Sequence, residues 1–253
     1  MAEGAGPVRH AIRVRDVRAS RGPAWLAGGW RHFRGSPMVW MGLSAGWMLI
    51  TLALVLVPVI GGVAANLLQP VFFASFAIAA RKQLAGEAPE MGDLFLGFKL
   101  PLRPLVNLGA LLLVAEIAIF FLMSMLGLPG AAEGEEIATI ADYVKLLQGK
   151  EWILLVGLAL TAVVKGALWF APAILAFHEI TTAHAVRWSV FAALSNLGAM
   201  LAYGVALTAV FVAGALPWGL GLMVAIPVMV ASTYTGYAEV FEEPDAQDDI
   251  TPA

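Results

Sequence analysis

Apolar stretches of about twenty residues recur along this chain, and short charged segments separate them. That length is what an α-helix needs to cross a hydrocarbon core roughly 30 Å thick. Inside lipid, backbone hydrogen bonds must be made within the protein, which restricts spanning structures to helices and closed barrels. Only 13% of the 253 residues are charged and 60% are hydrophobic, where a soluble domain carries about 25% charged residues. The pattern predicts an all-α integral membrane protein with about six transmembrane helices, at 38–57, 59–80, 105–126, 152–176, 186–212 and 217–235.

Lysine and arginine are distributed unevenly among the connections. With the N-terminus inside, Arg9, Arg13, Arg15, Arg18, Arg21, Arg31, Arg34, Arg81, Lys82, Lys99, Arg103 and Arg187 face the cytoplasm, and only Lys145 and Lys150 lie outside. Twelve against two is a strong positive-inside bias. It predicts three parallel inside–outside–inside hairpins with both termini cytoplasmic. The first apolar run passes into more apolar sequence without a small-residue cleavage site, so it reads as a span and not as a signal peptide.

Three regions follow. Residues 1–23 read as a disordered basic arm, 24–241 as the membrane domain, and 242–253 as an acidic tail. In 24–35, Trp25, Leu26, Gly29, Trp30 and Phe33 share one helical face, which predicts a short helix lying in the interface. Trp25, Trp30, Phe33, Trp152 and Trp188 are the predicted interfacial anchors. The long connection near 127–151 carries Glu133, Glu135 and Glu136, then a possible amphipathic helix over 137–147.

Two small signatures recur three times. An aromatic-x-x-Phe precedes each hairpin, at Trp30/Phe33, Phe95/Phe98 and Trp188/Phe191. A Pro-x-x-x-Ala occupies the second helix of each, at Pro70/Ala74, Pro172/Ala176 and Pro227/Ala231. The first and third units also share Pro-Val-x-x-Ala-Ser, at Pro70–Ser75 and Pro227–Ser232. Parallel repeats about an axis along the membrane normal are expected. Pro70, Pro172 and Pro227 each lack an N–H and crowd the carbonyl four residues back, which predicts kinks. These serve either as fixed bends or as hinges.

Two ionisable residues fall near the middle of spans, Glu116 in the third and Lys165 in the fourth. An isolated charge at the bilayer centre costs about 2.5–3.5 kcal/mol or more, so the two are expected to pair. The pair has two readings: a register-fixing contact, or a proton or substrate relay. Asn66, Gln69, Asn107 and Asn196 are weaker polar candidates for interhelical bonds.

Catalytic signatures are missing. There is no cysteine, which excludes disulfides, thiolate metal sites and a cysteine nucleophile. His178-Glu179 is followed by His184 six positions on, not four, so the zinc-protease spacing fails. The segment reads as a cytoplasmic turn with Thr181 or Thr182 capping the next helix. The net charge of −3 offers no general attraction to nucleic acid. No catalytic, cofactor or metal site is predicted, and the chain is not expected to be an enzyme.

The order Gly29-Trp30, Phe33, Pro37 and Trp40, then Pro58 to Gly61 and Pro70, resembles uncharacterised proteobacterial inner-membrane proteins, including the YciC-like group. So do Leu94-Phe95 with Gly97-Phe98, Ala171-Pro172-Ala173 before a histidine, Asn196 before Tyr203, and Pro217 with Gly219 and Pro227. The resemblance covers most of 24–241 and implies a bacterial inner membrane, six spans and no cofactor. It implies no mechanism. Mitochondrial carriers also use three parallel hairpins, but their Pro-x-acidic-x-x-basic signature is absent after all three prolines. A non-enzymatic accessory or assembly protein packing against a larger membrane complex is the expected role. A small-molecule or lipid transporter using Glu116 and Lys165 is the alternative.

Overall fold

The computed structural model describes residues 12–128, 148–216 and 218–242. All regular structure among them is helical: α1 (Gly22–Gly35), α2 (Pro37–Val55), α3 (Ile60–Leu84), a 3-10 helix (Met91–Lys99), α4 (Leu102–Met125), α5 (Glu151–Ala167), α6 (Ala171–Phe177), α7 (Thr182–Ser195), α8 (Leu197–Ala215) and α9 (Leu222–Phe241). A single 3-10 turn, Ala19–Arg21, precedes α1.

Five segments are long and apolar enough to cross a membrane: α2, α3, α4, α5 continued through α6, and α8. The sixth expected span corresponds to α9. Its first half is apolar, but its second half carries Ser232, Thr233, Tyr234, Thr235, Tyr237 and Glu239, and α9 is not one of the five. These polar groups sit within protein: Ser232, Thr233, Tyr234 and Tyr237 are all buried.

Two expected continuous spans are interrupted. The 152–176 segment breaks at Leu168–Phe170 between α5 and α6. Pro172 lies in the first turn of α6, where its missing N–H costs nothing. The 186–212 segment breaks at Asn196, between α7 and α8, with φ −110° and ψ 28°. There the side chain binds elsewhere: Asn196 Oδ1 accepts from the Val17 N–H at 2.6 Å, and its Nδ2 donates to the Arg15 carbonyl at 3.0 Å. Pro70 and Pro227, by contrast, lie inside uninterrupted helices.

The elements follow one order three times. A short helix (α1, the 3-10 helix, α7) precedes an outer helix (α2, α4, α8), which leads to an inner one (α3, α5 with α6, α9). The inner helices α3, α6 and α9 contact one another. Each short helix packs on the pair belonging to a different unit: α1 on α8 and α9, the 3-10 helix on α2 and α3, and α7 on α4, α5 and α6. The N-terminal α1 thereby closes a ring.

This explains a correction to the expected interfacial helix. α1 is a core element. Trp25 is fully buried, Leu26 and Phe33 nearly so, while Trp30 is 44% exposed. The Trp25 ring lies against Phe170 and Tyr203, and Gly236 of α9 leaves room for it. The preceding segment is also held from Ile12 onward, where a disordered arm was expected: Arg15 N–H donates to the Val240 carbonyl at 3.0 Å. Residues 1–11 and the acidic tail beyond Glu242 lie outside the described residues.

Candidate functional site

Lys165 Nζ donates to Glu116 Oε1 at 2.8 Å. α4 and α5 are adjacent helices, and fourteen residues precede each charge in its own helix, so the two meet near mid-span. Both side chains are partly accessible, 41% for Lys165 and 32% for Glu116. Their own bundle does not seal them.

Lys165 sits in the last turn of α5, just before the break. A cation there is favoured by the partial negative charge of the helix C-terminus. The break is repaired from outside: Ser189 of α7, itself fully buried, donates its hydroxyl to the Ala167 carbonyl at 2.8 Å and accepts from the Phe170 N–H at 3.2 Å. One serine thus satisfies two backbone groups at the interruption. Nothing in the local sequence marks Ser189 for this task.

The end of the bundle rich in arginine carries further networks that sequence reasoning did not single out. Glu239 of α9 accepts from Arg21 Nε and, at 2.9 Å, from Trp25 Nε1. Gln83 Oε1 accepts from Trp40 Nε1 at 3.0 Å and lies 2.9 Å from His32 Nδ1. The indole can only donate, so this oxygen is the acceptor and His32 carries its proton on Nδ1. Gln83 Nε2 returns a bond to the His32 carbonyl at 3.1 Å. Burial holds the His32 pKa below its ordinary value, and Arg31 adds to the effect. His178, paired with the Tyr237 hydroxyl at 2.9 Å, is lowered by burial too, with Arg81 contributing. Arg81 stacks over the Phe177 ring at 4.7 Å. Buried Asp93 pairs with Lys82 at 3.3 Å and also caps the 3-10 helix through the Glu90 N–H.

The remaining predicted residues are scattered. Trp152 is half-exposed and Trp188 intermediate, on α5 and α7. Asn66 bonds the Gly62 carbonyl of its own helix. Thr181 caps α7, and Thr182 reaches across to the Pro104 carbonyl at 2.9 Å. Among the described residues no group of three His, Cys, Asp or Glu could hold a metal. Glu133, Glu135, Glu136 and the possible helix at 137–147 fall outside the described residues.

No family model matches this sequence, and no solved structure matches it. The chain is 29% identical over 254 residues to a protein of Burkholderia thailandensis named a probable inner membrane protein, covering 91% of this chain and 92% of that one. The five apolar helices and this full-length similarity make the chain a multi-pass membrane protein.

Proposed function

We propose that this chain is a non-enzymatic, six-span protein of a bacterial inner membrane that packs against another membrane protein through its α4–α5 hairpin. The observation that carries this is the partial exposure of the Glu116–Lys165 pair. A charge at hydrocarbon depth is costly, and pairing relieves only part of that cost while the pair faces lipid. A polar group on a neighbouring protein would cover it. The surrounding surface fits such a partner: Leu111, Val114, Ile117 and Phe121 on α4, with Leu155, Leu158 and Val163 on α5, are all exposed and apolar.

In this reading α9 is the sixth span. Its polar half crosses because the other helices sheathe it, so it does not need an apolar surface. Both termini are cytoplasmic by the lysine and arginine bias. The resemblance to the YciC-like group agrees with this layout, and the Burkholderia relative, named a probable inner membrane protein, supports the inner-membrane location alone.

A second reading is transport of a small molecule or lipid. Lys165 ends a helix that breaks inside the membrane segment, and discontinuous helices carry substrate sites in many transporters.

Purification from native membranes in mild detergent, followed by intact mass spectrometry, separates the two. A stoichiometric protein partner that is lost from a Lys165→Leu/Glu116→Leu chain supports the docking role. Protein alone with a retained small molecule, released by the same substitutions, supports transport and sinks the docking role.

A further inference from the structure

The turns joining α2 to α3 and α8 to α9 share one feature. Each holds a bulky residue in the left-handed region, Val59 at φ 62° and Trp218 at φ 51°. A turn in water ordinarily fills such a position with Gly, Asn or Asp, which reach it at little cost. Here residues 56–62 read Leu-Val-Pro-Val-Ile-Gly-Gly and 215–221 read Ala-Leu-Pro-Trp-Gly-Leu-Gly, with no Asn, Asp or Ser in either. Val59 is 86% exposed and Trp218 96%, so packing within the bundle does not demand an apolar side chain at either strained position. Leu56 and Ile60 in one turn, and Leu216 and Leu220 in the other, extend the exposed apolar surface.

Backbone donors in both turns bond inside them. The Gly61 N–H closes the first onto the Val57 carbonyl at 3.0 Å, and the Gly219 N–H closes the second onto the Ala215 carbonyl at 2.9 Å. Ile60 and Trp218 donate to the Pro58 and Leu216 carbonyls. Each turn also has a proline, which has no N–H to leave unpaired. Internal pairing of this kind is what backbone away from water requires.

The helix lengths agree. No charged residue lies between Arg34 and Arg81, or between Arg187 and Glu239. α2 and α8 have 19 residues each, a length of about 28 Å, and a hydrocarbon core is about 30 Å thick. Starting from the arginine-rich end, both reach only the far boundary of that core. The middle unit is longer. α4 has 24 residues and the segment Glu151–Phe177 has 27, about 36 and 40 Å, and Lys150 and exposed Glu151 stand at its far end. We infer that the tips of the first and third units, at Val59 and Trp218, lie inside the far leaflet in contact with lipid, and that the middle unit alone meets water on that side. Which membrane face this is rests on the proposed topology; the depth does not.

The chain has no cysteine, so single cysteines report depth when the full chain is in membrane vesicles. Val59→Cys, Trp218→Cys and Glu151→Cys are treated with a membrane-impermeant maleimide, in right-side-out and in inverted vesicles. Glu151→Cys should label in right-side-out vesicles. The two tip variants should label roughly tenfold or more slowly, because a thiol in apolar surroundings stays protonated and only the thiolate reacts. A spin label at either tip should collide more with oxygen, which concentrates in lipid, than with a water-soluble nickel chelate, and the reverse should hold at Glu151→Cys. Ile60→Cys and Leu220→Cys repeat the measurement where a first variant fails to fold. Tip labelling as fast as at Glu151→Cys overturns the inference, since the tips then stand in water. Slow labelling with little collision with either reagent overturns it too, because a partner protein or a second copy then covers the tips. Labelling of Glu151→Cys only in inverted vesicles would reverse the topology, and the comparison with the tips would still decide the depth.

Discussion

Gly97 of the 3-10 helix lies directly against the Val71 carbonyl of α3, with Ser75 beside it. Its backbone N–H donates to Ser75 Oγ at 2.8 Å. Gly29 of α1 lies in the same way against the Val228 carbonyl and Ser232 of α9. The shared Pro-Val-x-x-Ala-Ser segment is therefore a docking groove, and in both copies a glycine from another unit fills it. Any Cβ would strike backbone, which cannot rotate away. Gly97→Val or Gly29→Val should cost about 1–3 kcal/mol, the usual scale of overpacking, and appear as a lower melting temperature in detergent. Gly62 has nothing near its missing Cβ, so Gly62→Ala should be neutral or stabilise by roughly 0.5–1 kcal/mol. Equal behaviour of all three would refute the groove.

Removing one member of the Glu116–Lys165 pair leaves the other at hydrocarbon depth without its partner. Lys165→Leu should lower stability by about 1–2 kcal/mol, less than for a fully buried pair because both side chains are partly open. Adding Glu116→Leu should restore most of the loss, since both desolvation costs vanish together. Thermal unfolding in one detergent measures both. A double variant no better than the single would argue against coupling.

Ser189→Ala strips a hydroxyl that serves two backbone groups at once. Leaving the Ala167 carbonyl and the Phe170 N–H unpaired should cost about 1–3 kcal/mol. Ser189→Thr keeps the hydroxyl and separates its loss from a volume change. A melting temperature unmoved by Ser189→Ala would show that other groups close the break.

His32 adds a pH dependence. Its pKa is lowered in the folded protein from an ordinary 6.5, so the unfolded chain binds more protons on acidification. Stability should therefore hold above pH 6.5 and fall as the pH drops below it, until the folded-state pKa is reached. His178 shifts in the same direction and adds to the slope. Melting temperatures from pH 8 to pH 5 check this, and His32→Asn should flatten the profile.

Where the sequence was informative, the physics was one-dimensional. Hydropathy along the chain marks helical spans because each must match a fixed bilayer thickness. The first-span estimate of 38–57 lies within two residues of Pro37–Val55 at each end. The same reasoning missed the breaks at Leu168–Phe170 and Asn196, because what stabilises them is remote. Ser189 repairs one, and the backbone of residues 15–17 occupies the side chain at the other. Trp25 was misplaced for a related reason. An aromatic face on a short helix reads equally as an interface anchor or a core face, and the positions of Phe170, α8 and α9 choose between them.

By itself, the sequence determined that this chain is helical, that it is built for a membrane, and that its cations gather at one set of connections. Those properties follow from residue chemistry summed along the chain. Only the tertiary structure decided that α1 closes a ring against the third unit. It alone decided that the polar half of α9 is sheathed, and that the Glu116–Lys165 pair expected from the sequence leaves both side chains partly open. These depend on which surfaces come together between segments 49 residues apart for the charge pair and 214 apart for Trp25 and Glu239, and apolar surfaces of similar composition do not encode their partners.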